Sequence, residues 1–327
     1  MKSVHLMILF TLGLASCGGY PSSNVVFVTN ERAGTISVID ANTDKVIDTL
    51  GVGGRPRGIR LSSDGSRAYV AISAPFKNQK ATGYDEIRVI DTSNGKKIKS
   101  IDAGSDPEQL AVDSERQLLF VSNEDAGTAS VTDLETGESL ATFVTGIEPE
   151  GTTISPDGKW IYVMAETSST VTVIDIDQQK VVKTFLVGMR PRDAAFSPDG
   201  TRAYISSEVA KEIAIVDVAT HSVIRTVHVG FDETFGPVGI RVSPDGSRIY
   251  LANGRGNSVS IFDANSFEHL ATVPVGQRVW GIGLTRDGKK LYAANGLSNN
   301  VSVIDTDSQK VIATIEAQDG PWGVAVK

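Results

Sequence analysis

The apolar positions of this chain come in short runs of four to six residues, alternating or rich in β-branched side chains, and each run is closed off by Gly, Pro, Asn or Asp. One stretch shows the rhythm: Gly239-Ile240-Arg241-Val242, a turn Ser243-Pro244-Asp245-Gly246, then Arg248-Ile249-Tyr250-Leu251-Ala252-Asn253. After a Gly/Asn turn come Ser258-Val259-Ser260-Ile261-Phe262-Asp263 and, past a second turn, His269-Leu270-Ala271-Thr272-Val273. The hairpins follow one another with no room for a helix, so the pattern predicts an all-β chain.

The same unit recurs. An apolar run ending in aspartate appears at Asp40, Asp91, Asp133, Asp175, Asp217, Asp263 and Asp305, spaced 51, 42, 42, 42, 46 and 42 residues apart. This is a 42-residue unit in seven copies with two insertions, around Ala74 to Glu86 and within Phe231 to Phe235, and the period is that of a four-stranded propeller blade. The closing Pro321-Trp322-Gly323-Val324-Ala325-Val326 matches the first strand of a unit, whereas Val25-Val26-Phe27-Val28-Thr29-Asn30 matches the second. The expected fold is a seven-bladed β-propeller of four-stranded antiparallel blades, its ring closed by pairing the N- and C-terminal strands in one blade, which removes the open edges of a linear array. A residue needed once per blade is explained by the blade, so the seven aspartates are expected to bond turn amides.

The N-terminus departs from this rhythm. Lys2, an apolar run from Leu6 to Leu14 and then Leu14-Ala15-Ser16-Cys17 read as a signal peptide over 1–16, with Cys17 as the lipidated residue of a lipoprotein. Residues 17–23 then form a short tether, and 24–327 a single propeller domain. The apolar run is far short of the roughly 20 residues that span a bilayer, so membrane contact is expected through the lipid alone. Cys17 is the only cysteine, which rules out an internal disulfide. Gly18 occupies the place where an aspartate would favour inner-membrane retention, which leans the placement towards the outer membrane. A net charge of -8 argues against nucleic acid as a partner.

Val28-Thr29-Asn30, Val121-Ser122-Asn123 and Leu251-Ala252-Asn253, each followed by a strand of the Val-x-Val-Ile-Asp kind, resemble the YVTN-type β-propeller repeat family over residues 24–327. Gly276-Gln277-Arg278-Val279-Trp280, Asn295-Gly296-Leu297-Ser298-Asn299 and Pro321-Trp322-Gly323-Val324 look most like the propellers associated with PQQ-dependent catabolism. That resemblance implies co-occurrence with periplasmic quinoprotein alcohol oxidation rather than an activity.

The copies stop being alike where the chain enters each innermost strand, at the rim of the central channel. The residues flanking the proline position are Arg55 and Arg57, Asp106 and Glu108, Glu148 and Glu150, Arg190 and Arg192, Gly236 and Val238, Arg278 and Trp280, Gly320 and Trp322. Two acidic blades sit between two arginine blades, and Trp280 with Trp322 forms an apolar wall. Two arrangements follow. The rim is a site for a small anionic ligand or a periplasmic protein partner, or Arg57 pairs with Glu108 and Glu150 with Arg192 in an ion-pair ring with the tryptophans as a plug. Clustered carboxylates could take Ca²⁺, but no Asp-x-Asp-x-Asp-Gly loop occurs and no metal is expected; the sequence demands no cofactor.

Catalysis has little to work with. His221, His228 and His269 fall on or near outermost strands, away from the channel, and no haem attachment motif exists. What remains is a carboxylate-and-arginine site of the kind lactonase-like propellers use, with Glu108 or Glu150 as general base and Arg57 or Arg192 polarising a carbonyl. The expected function is therefore a monomeric, lipid-anchored binding or scaffold protein of the bacterial envelope, with a lactonase-like hydrolase and a cell-surface adhesion module as alternatives. The insert around Ala74 to Glu86 reads as a tolerated surface insertion or a lid, and that within Phe231 to Phe235 as loop drift or a gate over the mouth.

Overall fold

The alternating runs form strands, and those inside each blade bury both of their faces against neighbouring sheets. The computed structural model describes residues 19–76, 84–230 and 234–327, so the lipidation site expected at Cys17 and part of both insertions lie outside the described residues. Within them lie seven four-stranded antiparallel sheets. Blade 1 is Pro321–Val326, Val25–Asn30, Thr35–Asp40 and Lys45–Gly51, from the axis outwards. The innermost strands of blades 2 to 7 are Arg55–Leu61, Pro107–Asp113, Pro149–Ile154, Pro191–Phe196, Ile240–Val242 and Val279–Leu284. The ring closes as expected: Val26 pairs with Val326, Phe27 with Ala325 and Val28 with Val324.

The core consists of seven apolar clusters, each spanning two adjacent blades. Strand alternation builds this directly. Val25 and Phe27 pack towards blade 2 with Ile59 and Val70, while Val26 and Val28 point the other way, towards Tyr292 and Val301 of blade 7. Second strands such as Val25–Asn30 are therefore buried along their whole length, whereas outermost strands such as Lys45–Gly51 face solvent.

The Thr-Asn ending of the repeat has a physical meaning. Asn30 Nδ2 donates to Thr35 and Ser37 hydroxyls within its own blade, Asn123 and Asn253 do the same in theirs, and Asn295 donates to the Asn300 amide oxygen and the Ser302 hydroxyl. The preceding hydroxyl crosses to the next blade: Thr29 Oγ1 donates to the Arg57 carbonyl at 2.7 Å, Ser122 Oγ to that of Glu150 at 2.6 Å and Ser206 Oγ to that of Val238 at 2.5 Å. These bonds hold the rim residues of adjacent blades at fixed height. All seven strand-ending aspartates accept amide hydrogens from the turn that follows, as with Asn42 onto Asp40 and Ser308 onto Asp305.

Glycine follows the rim residue in five blades for a steric reason. A Cβ on Gly323 would lie 2.4 Å from the Arg57 carbonyl oxygen, and one on Gly281 2.5 Å from that of Trp322. Neighbouring innermost strands thus approach backbone to backbone, which narrows the channel and crowds the rim side chains together.

Candidate functional site at the channel mouth

The proline-flanked turns deliver the rim side chains to one recess, lined by Glu31, Arg55, Arg57, Asp106, Glu108, Glu124, Asp125, Glu150, Arg192, Trp280 and Trp322. Inside it the charges pair off. Arg57, buried, salt-bridges Glu108, lies 3.1 Å from Asp106, and reaches Glu31 and Glu124 at 3.3 Å each. Arg55 bonds the Ala74 carbonyl at 2.6 Å and Asp106 at 2.6 Å, with its guanidinium over the Phe76 ring.

A second cluster lies across the mouth. Arg192, also buried, binds Glu150 at 2.7 Å and salt-bridges Glu166; Arg190 meets Glu166 at 2.6 Å and Glu208 at 3.4 Å, and Arg278 meets Glu208 at 3.2 Å. Trp280 and Trp322 stack with centroids 6.2 Å apart, and Arg278 lies 4.0 Å over Trp280. The Arg57–Glu108 and Glu150–Arg192 pairs are those of the ion-pair arrangement weighed above. Of the residues expected at the rim, Glu148 alone joins neither cluster; it accepts the Thr167 hydroxyl instead.

Four acids of this site escaped the rim census: Glu31, Glu124, Glu166 and Glu208. Each directly follows a second strand, after Asn30, Asn123, Ala165 and Ser207, in a loop on the same face as the rim. A column-by-column comparison of the repeats at that position would have found them.

Burial sets the protonation of two of the four. Glu124 is pushed up to about 7 by burial, with Arg57 opposing and Asp106 adding to the rise. Glu166 is raised to about 7 by burial and by its hydrogen bond with Glu150, against the pull of Arg192. Burial also acts on Asp106, but Arg57, the Ser73 hydroxyl and Arg55 together hold it below the usual carboxylate range. Asp106, Glu108 and Glu124 could offer three oxygens to one cation, yet the Arg57 guanidinium already sits among them.

The insertions contribute unequally. Phe76 stands at the mouth, half exposed, beneath Arg55. Phe235 is buried beside the short 3-10 turn Gly254–Gly256, where a Cβ added at Gly256 would meet its ring at 3.5 Å.

Comparison with known proteins agrees with this architecture. A family model described as a seven-bladed β-propeller lactonase matches residues 181–327, and one described as a YncE-like β-propeller matches residues 69–196. Parts of the chain are thus similar to lactonase-type and YncE-like β-propellers. The uncharacterised YncE protein of Salmonella typhi is 37% identical over 68 residues, which is 20% of this chain and 19% of that protein; the match thus spans about a fifth of the curated relative's length. Among solved structures, hydrazine synthase from Kuenenia stuttgartiensis superposes with a TM-score of 0.76 at 21% identity, covering 91% of this chain and 99% of that one. A candidate 6-phosphogluconolactonase from Bacteroides fragilis superposes at 0.75 with 18% identity, covering 93% and 98%. At such identities these two solved structures share the propeller fold with this chain and nothing finer.

Proposed function

We propose that this propeller is a binding protein whose channel mouth takes a small ligand with a cationic group. The carrying observation is the charge count of the Arg57 cluster, where, among the described residues, Glu31, Asp106, Glu108 and Glu124 are ion-paired with only Arg55 and Arg57. An anion placed there would meet arginines already neutralised and carboxylates in excess, so the geometry favours the opposite sign to the ligand first expected from the arginines. The Trp280–Trp322 wall adds a flat apolar flank. Titration calorimetry with a diamine or polyamine, set against small organic acids, tests this reading. The amine should bind, and Glu31→Gln with Glu124→Gln should weaken it at least fivefold; preference for the organic acids would overturn the reading.

The Leu14-Ala15-Ser16-Cys17 run supports export and lipid anchoring of this binding protein in the bacterial envelope. The resemblance of the Trp280 and Trp322 segments to propellers associated with PQQ-dependent catabolism supports a periplasm-facing site. Incorporation of labelled fatty acid, lost in Cys17→Ala, is the check.

A second reading is a lactonase-like hydrolase, favoured by the lactonase model over residues 181–327 and by a carboxyl that titrates near neutrality beside an arginine. Its base would be Glu166, pushed up to about 7, with Arg192 polarising the substrate carbonyl. Turnover of simple lactones that vanishes in Glu166→Gln, with folding kept, would select this reading over pure binding.

A further inference from the structure

Below the rim the channel has a second charged level. Three residues down each innermost strand from the rim position stand Ala325, Ala111, Thr153, Ala195 and Gly283, all small, and two arginines, Arg60 of blade 2 and Arg241 of blade 6. Arg241 is neutralised, since its guanidinium donates to Asp193 Oδ2 at 2.7 Å. Arg60 donates to the Ile59 carbonyl at 2.9 Å, and among the described residues no carboxylate lies within ion-pair distance of it. Burial, and then the charge of Arg241, hold its guanidinium down at about 10, with Asp193 opposing.

Arg60 and Arg241 line both the interior cavity beneath the tryptophans and the opening at the far end of the channel. That far opening, about 350 Å³, is otherwise mostly apolar, and Leu61, Val242, Leu284 and Val326 keep part of their surface uncovered there. A partly buried cation with no carboxylate within ion-pair distance among the described residues, at the ceiling of an apolar vestibule, lacks the partner that such charges ordinarily have. The wall shape says what kind of partner would fit: an anionic head to meet the guanidinium and an apolar tail to cover the vestibule.

We propose that the end of the channel opposite the mouth binds an amphipathic organic anion, a medium-chain carboxylate, with its head at Arg60 beside Arg241 and its tail along Leu61, Val242, Leu284 and Val326. The head forms a charge-assisted hydrogen bond in a water-poor setting, and each methylene buried against the four side chains adds hydrophobic gain. The tail lies at the opposite end of the channel from the mouth, while the interior cavity that Arg60 and Arg241 line is shared with Glu150, Arg192, Trp280 and Trp322 of the mouth.

Titration calorimetry with octanoate, octanol and acetate tests the assignment on the full-length protein. Octanoate should bind one to one, with octanol and acetate at least tenfold weaker, and affinity should climb about threefold to fourfold per methylene from hexanoate to decanoate. Arg60→Met should cost octanoate at least tenfold while Arg60→Lys, which keeps the charge, retains most of the affinity. Should Arg60→Met fail to fold, the Arg60→Lys variant and the octanol comparison carry the decision. Octanol matching octanoate, unchanged affinity in Arg60→Met, or no octanoate binding would each overturn the proposal.

Discussion

The two ion-pair clusters of the mouth are built from the same parts in different proportion. Each has a buried arginine on an innermost strand, Arg57 or Arg192; the first draws two carboxylates from the rim and two from the loops after second strands, the second one from the rim and two from those loops. The Arg57 cluster sets four carboxylates against two arginines, whereas the Arg192 cluster sets Glu150, Glu166 and Glu208 against Arg190, Arg192 and Arg278. One half of the mouth is therefore balanced in its count of acids and arginines, and the other carries spare negative charge even with Glu124 raised to about 7. Equal numbers of ion pairs do not make equal sites; the residual charge decides which half can attract a ligand.

Breaking each cluster at its centre gives the largest expected effect. Removing one partner from a buried network strands the others, at about 3–5 kcal/mol. Arg57→Met should sit at the upper end, because Arg55 alone then faces four acids, and Arg192→Met lower, because Arg190 and Arg278 remain. Urea unfolding of the two variants measures this, and a greater loss in Arg192→Met would undo the contrast drawn between the halves.

A milder effect is expected when a pair is removed whole. Arg57→Met combined with Glu108→Leu should recover about 1–2 kcal/mol over Arg57→Met alone, since the most closely held carboxylate no longer stands unpaired. Additive losses in the double-mutant cycle would show that Glu108 is not the main partner of Arg57.

The smallest effect concerns pH. Glu166 is raised in the folded state from its ordinary value to about 7, so between those values the native protein holds a proton that the unfolded chain releases. Its contribution to stability is full below about 4.5 and is lost as pH rises through about 7. Glu166→Gln should therefore show a shallower fall in melting temperature than wild type between pH 5 and pH 8, and Glu124→Gln should behave likewise in the acid-rich cluster. A steeper fall in either variant would reverse the sign assigned to that carboxyl.

Much of the site was legible in the repeat. The rim residues from Arg55 to Trp322 stood out because the copies agree everywhere around them, and ten of the eleven join the clusters or the tryptophan stack. Glu148 does not, because its side chain is engaged by Thr167 of the neighbouring loop, a contact between two hairpins with no trace in either one. Glu31, Glu124, Glu166 and Glu208 were overlooked since they lie in a different column of the repeat, brought to the mouth by the return of each hairpin to the same face.

The sequence by itself determined the seven blades, their four strands and the closure by Val25–Asn30 on Pro321–Val326, because period-two burial and turn residues act locally and repeat. Its aspartates announced their turns for the same reason. Which charges cancel depends on the closed ring: Arg57 and Arg60 lie on one short strand, yet among the described residues the first is ringed by four carboxylates and the second has none within ion-pair distance. Their partners come from other blades, and the distances across a channel depend on ring closure and on the backbone approach that Gly281 and Gly323 permit. Coulomb interactions follow those distances, not positions along the chain.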